Sequence, residues 1–580
     1  GTTSGSIFTG SGSIVGLIIN NVANLGGLTL GQYSGTGVSG DTVYTSSNSR
    51  NISIGSPISI AGPIILYGYD ISLASNLTVT GSNSPISLYA KQSINTTADN
   101  ISVTASGGNI LFASNISGNG GSINLSKASL ISNGGNITLG GGVDGTSYSV
   151  GTNADTSVPS YWANTKYKGI FLNAVTINAE GTSQGGSISL KGQGWQGSNP
   201  NNDGADFFSI GIDVVGYTSG TVIKTNGAGT ISLDGVGGLN YDAQTHSVGI
   251  NLYDGSGSSN SIYSVNGDIR LTGAAGAAGA GTAARIRAGL NVDGGAAYIY
   301  STTGNISLNG TGIATDSSSQ KAILINGGSL YIGWNGSSTV TSGNINLIAD
   351  SLGVNGTTLN IKSTGTLSFS PSSTSFTSAI SWPLTNTTVS SVSGLTVGKD
   401  GNGANITVGS ATTIAGAIYL YGADINLNAA LSSSASDKDI YLKASGSITQ
   451  NNISVTTSGG SIIYWADSDN SGGGYVQLAG TSASVTTNGG GLWIGGGNGS
   501  SNWTPFTGGA SISVGDGYAT GTTAFGTGVY LGFANINTSL NSGKGGNVSI
   551  WGKTATTPSA ITYPSSDASS WVSGIYSGYK

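Results

Sequence analysis

The sequence predicts an all-β protein: a right-handed parallel β-helix, that is, a solenoid with protruding loops. Three observations point there. A large part of the chain is written twice, short strand patterns recur at near-constant spacing, and charged residues are scarce.

The duplication is direct. NISIGSPISIAGPIILYGYDISL from Asn51 returns as NITVGSATTIAGAIYLYGADINL from Asn405, pairing Tyr67 with Tyr421 and Asp70 with Asp424 at an offset of 354. DNISVTASGGNILF recurs as NNISVTTSGGSIIY, SNGGNITLGGG as TNGGGLWIGGG, and GGSISLKG as GGNVSIWG. A stack of similar units tolerates such copying because each unit touches only its neighbours.

The finer pattern is Gly-polar-Ile-polar-Leu. Between Pro85 and Gly142 it gives ISLYA, SINTT, NISVTA, NILFA, SINLS, ASLIS and NITLG. Alternation at period two marks half-buried strands. Helices are disfavoured by so much Gly, Ser, Thr and Asn. In the centre GTISLDG, GDIRLTG, GNISLNG and GNINLIAD begin at Gly229, Gly267, Gly304 and Gly343, interleaved with GIDVVG, GINLYDG and GLNVDGG. Two related strands per unit of roughly 38 residues suggest two coils of about 19 residues each, in the range of a three-sided parallel β-helix. Coils of about 22 residues rising about 4.8 Å each would make a rod on the order of 125 Å long. Ile then stacks on Ile, and Asn and Asp form ladders at the corners. A propeller also has units near this length, but its Trp-Asp signature is missing.

Composition agrees. Gly accounts for 100 of 580 residues, 37% are apolar and only 7% are charged, which excludes polyelectrolyte disorder. Net charge is −6 and the 18 Lys and Arg are scattered, so the basic surface that nucleic acid requires is missing. Cys and Met are both absent. The first leaves no thiolate site or disulfide framework; the second suggests a mature fragment or an interior slice of a longer protein. No apolar run approaches the roughly 20 residues of a membrane-spanning helix.

Five regions are expected. Residues 1–50 would end a preceding repeat, and 51–215 would be β-helix copy 1, with loop insertions at 143–168 and 193–208. Residues 216–350 carry the 38-residue period, 351–404 form a linker and restart, and 405–580 form copy 2, with insertions at 498–527 and 554–571. No polar cap is visible at Gly1 or Lys580, so the coils would continue into further repeats or neighbouring subunits.

The GSATTIAGAIYLYGADINLNAAL pattern and the GGNITL-type strands resemble the repeat region of large filamentous haemagglutinin-type adhesins, over nearly the whole chain. GTLSFSPSSTSFTSAISWPLTNTTVSSVSGLTVGKDGNGANITVGS from Gly365 looks like their linker-and-restart unit. The resemblance implies a bacterial protein exported by two-partner secretion, with a right-handed parallel β-helical shaft at the cell surface. The Asn-Pro-Asn at Asn199–Asn201 is followed by Asn202 rather than Gly, so the family's secretion domain is not expected here.

Candidate recognition residues are the loop aromatics Tyr161, Trp162, Tyr167 and Trp195, with Trp503, Phe506, Tyr518 and Trp571 in the second copy. Such rings stack on sugars and dominate interfaces; the plainer alternative is that they cover the loops' own small cores. Asn199-Pro-Asn-Asn-Asp203-Gly204 resembles half of an oxygen-ligand loop, but Ile210 stands where its closing acid belongs. Calcium at Asp203 and Asp206 is the one metal the sequence raises; otherwise no cofactor is expected. Asp234, Asp254 and Asp293, each before Gly, read as turns, and His246 as a surface or corner residue without a catalytic partner. The expectation is a non-enzymatic, secreted or cell-surface rod in adhesion or biofilm matrix. Its partners would be surface glycans, other cells or copies of itself. A self-assembling fibre subunit and a glycan-cleaving β-helix enzyme are the alternatives.

Overall fold

The computed structural model describes residues 17–18, 22–23, 25–31, 51–152, 167–197, 207–239, 245–277, 286–312, 317–337, 340–355, 357–540, 545–556 and 574–578. Contacts divide the chain into two units, residues 1–343 with 352–361, and residues 344–351 with 362–580. Each unit is a parallel β-helix, and the described residues contain strands but no helix.

In the first unit the coils present three strand faces; in the later coils Thr245–Ser264 and Ile286–Ser301 each run through the first two faces as one continuous strand. The first face stacks Ile52–Ile54, Ile71–Leu73, Ile94–Thr96, Ile123–Ser126, Ile170–Asn173 and Phe207–Gly216, all parallel. The second stacks Ile58–Ile60, Leu77–Val79, Ile101–Ala105, Ala128–Ile131 and Thr176–Asn178. On the third face Ile64, Ile86, Ile110, Ile137, Ile188, Ile231, Ile269 and Ile306 stand one above another in unbroken register. None of these eight is more than 1% exposed. Burying each such side chain contributes about 1.5–3 kcal/mol, so the column is the core.

The seven strands expected between Pro85 and Gly142 all form, from Ile86–Ala90 to Ile137–Gly141. The duplication also becomes structure. Ile64–Gly68 and Ile418–Gly422, Ile71–Leu73 and Ile425–Leu427, and Ile86–Ala90 and Ile440–Ala444 have matching bounds 354 residues apart. Asp70 Oδ1 accepts the Ser93 N–H at 3.0 Å, and Asp424 Oδ1 accepts the Ser447 N–H at 2.8 Å, so one carboxylate ties consecutive coils in both copies. Corner residues Asn83 and Asn133 adopt φ of 57° and 52°, a left-handed conformation that Asn tolerates.

The 38-residue period differs from expectation. Ile231, Ile269 and Ile306 are immediate neighbours on the third face, and Ile212, Ile250 and Leu290 on the first. Each 38-residue unit is therefore one coil, not two. Most of the excess over the 22 residues that separate Ile64 from Ile86 lies in a lateral fin between the third face of one coil and the first face of the next. There Ile231 to Ile250 spans 19 residues, against 7 from Ile64 to Ile71. A longer turn between the first two faces, around Asp254 and Ser258, holds the rest. The fin walls are Gly237–Gly238 and Gly276 on one side and Ser209 and Ser247 on the other. Gly238 N–H donates to Ser209 O at 2.9 Å, and Ser247 Oγ donates to Gly238 O at 2.6 Å.

A glycine neck pinches the fin from the coil. A Cβ on Gly235 would lie 2.2 Å from Gly249 O, and one on Gly249 would lie 2.5 Å from Ala274 N and 2.7 Å from Gly235 O. Gly192 with Gly211 and Gly273 with Gly289 repeat the contact in neighbouring coils. Only hydrogen side chains allow two backbones this close. In the second unit Leu395, Ile418, Ile440, Ile462 and Leu492 continue the same inward stacking within their own ladder.

Gly249→Val is expected to destabilise the first unit by about 1–3 kcal/mol, the usual cost of overpacking. Amide exchange at Ile212 and Ile250 should quicken, and unaltered protection would show that the neck is not tight.

Candidate functional site

On the third face of the second unit, the outward side chains form two columns. Tyr419, Tyr441, Ile463 and Trp493 make one, and Tyr421, Lys443, Trp465 and Gly495 the other. Outward rings on a strand would ordinarily meet solvent. Here Leu492–Trp503 runs on beyond the coil and returns as Ile512–Gly517, an antiparallel hairpin that places Trp503 opposite Ile512. It covers Ile463, Trp465 and Trp493 with Val514, flanked by Tyr441, Trp503 and Ile512, as a second apolar layer outside the coil. Trp465 Nε1 donates to Gly497 O at 2.7 Å, locking hairpin to coil.

Where the hairpin stops, the ring column emerges into an open cleft. Its free space is about 470 Å³, lined by Asp400, Tyr421, Tyr441, Lys443 and Trp465 from the coils and by Asn498, Gly499, Ser500 and Ser513 from the hairpin. Trp465 and Tyr441 meet edge-on with centroids 6.3 Å apart, and Tyr441 lies 6.3 Å from Tyr421. Lys443 Nζ sits 4.3 Å from the Trp465 ring centroid and 2.8 Å from Asp400 Oδ1. Tyr441 OH donates to Ser513 O at 3.2 Å. Burial, then the neighbouring Tyr419 and Asp400, push the Tyr421 phenol up to about 12. Burial, with Tyr421 and Asp400 behind it, raises Tyr441 too. These rings are neutral hydrogen-bond donors at ordinary pH.

The cleft gathers flat rings, a cation, a carboxylate and short polar side chains on rigid strands. It carries a single carboxylate, whereas most glycosidases need a pair flanking the bond they cleave. Among the described residues no cluster of three or more His, Cys, Asp or Glu could hold a metal ion.

The aromatics singled out from the sequence are placed differently from one another. Tyr161, Trp162 and Trp571 lie outside the described residues, as do Asp203 and Asp206. Tyr167 is only 5% exposed and packs on Trp195 with centroids 5.6 Å apart, so this pair holds the fin base together. Trp503 is half-buried and donates to Ser549 Oγ at 2.9 Å, also a packing role. Phe506 is exposed near the hairpin, and Tyr518 is exposed beside Trp551, 5.8 Å away. His246 is not at the surface: it is buried and stacked on Phe208 at 4.3 Å. Asp254 and Asp293 are one register apart, and Asp234, on another face, accepts the Tyr148 hydroxyl at 3.1 Å.

Sequence reasoning missed Asp400, Tyr441, Lys443 and Trp465, and took Tyr421 only as a marker of duplication. A signal was present in the two copies. Where copy 2 has Tyr441 and Lys443, copy 1 has Ser87 and Tyr89 at the same 354-residue offset, while the inward Ile86 and Leu88 match Ile440 and Leu442. The copies keep the inward Ile and Leu of this strand and share the outward tyrosine at Tyr67 and Tyr421, but diverge at the cleft positions of Tyr441 and Lys443. Comparison with protein-family models, with curated proteins and with solved structures found no match to this chain.

A free tyrosine ionises near pH 10. Because Tyr421 is raised in the folded state, its contribution to stability is complete below about pH 10 and is lost as pH climbs through about 12. Tyrosinate absorbance against pH should therefore show an alkaline step at about pH 12 in the native chain that Tyr421→Phe diminishes by one phenol, whereas in denaturant the wild-type Tyr421 should titrate at about pH 10 with the other tyrosines.

Proposed function

We propose that this chain is a non-enzymatic stretch of a secreted or bacterial cell-surface β-helical shaft that acts in adhesion, and that the cleft of its second unit holds a surface glycan. The observation that carries this reading is the ring column running from beneath the hairpin into the cleft. Aromatic faces stack on the apolar faces of sugar rings, and Asp400, Lys443, Asn498 and Ser500 supply donors and acceptors for hydroxyl groups around them. A lone carboxylate in the cleft favours holding a glycan over cutting one. The filamentous haemagglutinin-like repeat pattern supports the same setting, since a stack of near-identical coils serves as a spacer that presents sites away from a surface.

The test is attachment and glycan binding by the purified chain. Tyr421→Ala, which removes a ring at the open end of the column, is expected to weaken binding by about 1–2 kcal/mol, roughly 5- to 30-fold. Trp503→Phe, on the hairpin's packed side, should leave it within about twofold. Equal binding by wild type and Tyr421→Ala would overturn the assignment of the cleft.

A further inference from the structure

Lys168 and Asp213 meet in the interior of the first unit. Lys168 Nζ lies 2.5 Å from Asp213 Oδ2, with the two side chains 2% and 3% exposed. Lys168 comes just before the strand Ile170–Asn173. Asp213 sits on the next strand of the same face, directly opposite Phe171. The Phe171 ring centroid is 4.4 Å from the nitrogen and that of Phe208 5.9 Å. Asn251 Nδ2 donates to the other carboxylate oxygen, Asp213 Oδ1, at 2.8 Å, and Asn291 Nδ2 donates to Asn251 Oδ1 at 2.7 Å. Ile210, Val248 and His246 also line the cavity of about 30 Å³ beside the pair.

A lone ion pair is a costly way to fill such a place, because its desolvation often exceeds its attraction, and apolar residues do as well or better. What the arrangement offers instead is chemistry. An amine and a carboxyl group are held in contact, walled by rings, with one carboxyl oxygen already bound to a fixed donor. We propose that Lys168 and Asp213 are joined by an intramolecular amide bond.

The reaction needs no partner. Proton transfer within the pair converts ammonium and carboxylate into amine and carboxylic acid, with no change in total charge. The Nζ lone pair attacks Asp213 Cγ, forming the C–N bond. Negative charge collects on Oδ1, where the Asn251 N–H stabilises it as an oxyanion donor does. The Cγ–Oδ2 bond then breaks. Oδ2 leaves with the proton it carries and one from nitrogen, as a single water. One amine and one acid thus become one secondary amide and one water. His246, the single imidazole of the chain, borders the cavity and can carry that proton. The cavity exceeds the roughly 10–15 Å³ a water needs, so the product has a place. Contact between the reacting groups supplies the large effective concentration that the uncatalysed condensation lacks. The product is a covalent staple between consecutive coils at the base of the fin.

The mass of the intact purified chain tests this. It should fall below the sequence mass by one water, and digestion should yield a branched peptide joining the segment of Lys168 to that of Asp213. Asp213→Ala should restore the full sequence mass. Asp213→Asn should lose ammonia instead and give the same linked product as wild type. A wild-type chain at full sequence mass, with Lys168 labelled by an amine-reactive reagent in denaturant, would overturn the proposal, as would a water loss mapped to another site. The wild-type measurement decides even where a variant fails to fold.

Discussion

The structure depends on one constraint, that like side chains stand directly above like along a parallel ladder. In the column from Ile64 to Ile306 the registers never slip. A shift by a single residue would turn every inward isoleucine outward, because side chains alternate from face to face. The ladder is thus self-correcting. Each coil is templated by the one before it, and the polar ties at the corners, such as Asp70 to Ser93, only confirm a register the apolar column already requires.

Much of the fold was legible in the sequence because this constraint writes itself in period-two alternation. The strands from Ile86 to Gly141, and the equivalence of the Ile64 and Ile418 strands, could be read off directly. The 38-residue unit is ambiguous in the sequence for a physical reason. Strand patterns such as GTISLDG and GINLYDG report which residues extend, and not which strands lie on the same face. A coil with a fin and two plain coils therefore look alike until register is known. The paired glycines Gly235 and Gly249 were the clue, since a corner accepts Asn as well as Gly, whereas a close backbone crossing needs glycine on both chains.

The candidate site was less legible, and again for a stated cause. In the sequence the aromatics of the loops stand out, because rings on a half-buried strand ordinarily serve packing. Tyr167, Trp195 and Trp503 show that loop aromatics can serve packing as well. The cleft instead uses outward strand positions, and its depth comes from a hairpin added on top of the coil rather than from the coil itself. Tyr441 and Lys443 stand out only when the two copies are compared position by position.

The glycine neck has a consequence for how such a chain can change over time. Where two main chains cross without side chains between them, nothing in the coil interior registers how many residues lie beyond the crossing. Insertions and deletions in a fin are then invisible to the spine that carries it. Each coil becomes a socket whose outer ornament can be lengthened, shortened or exchanged independently, which lets variation accumulate at the flank while inheritance keeps the centre.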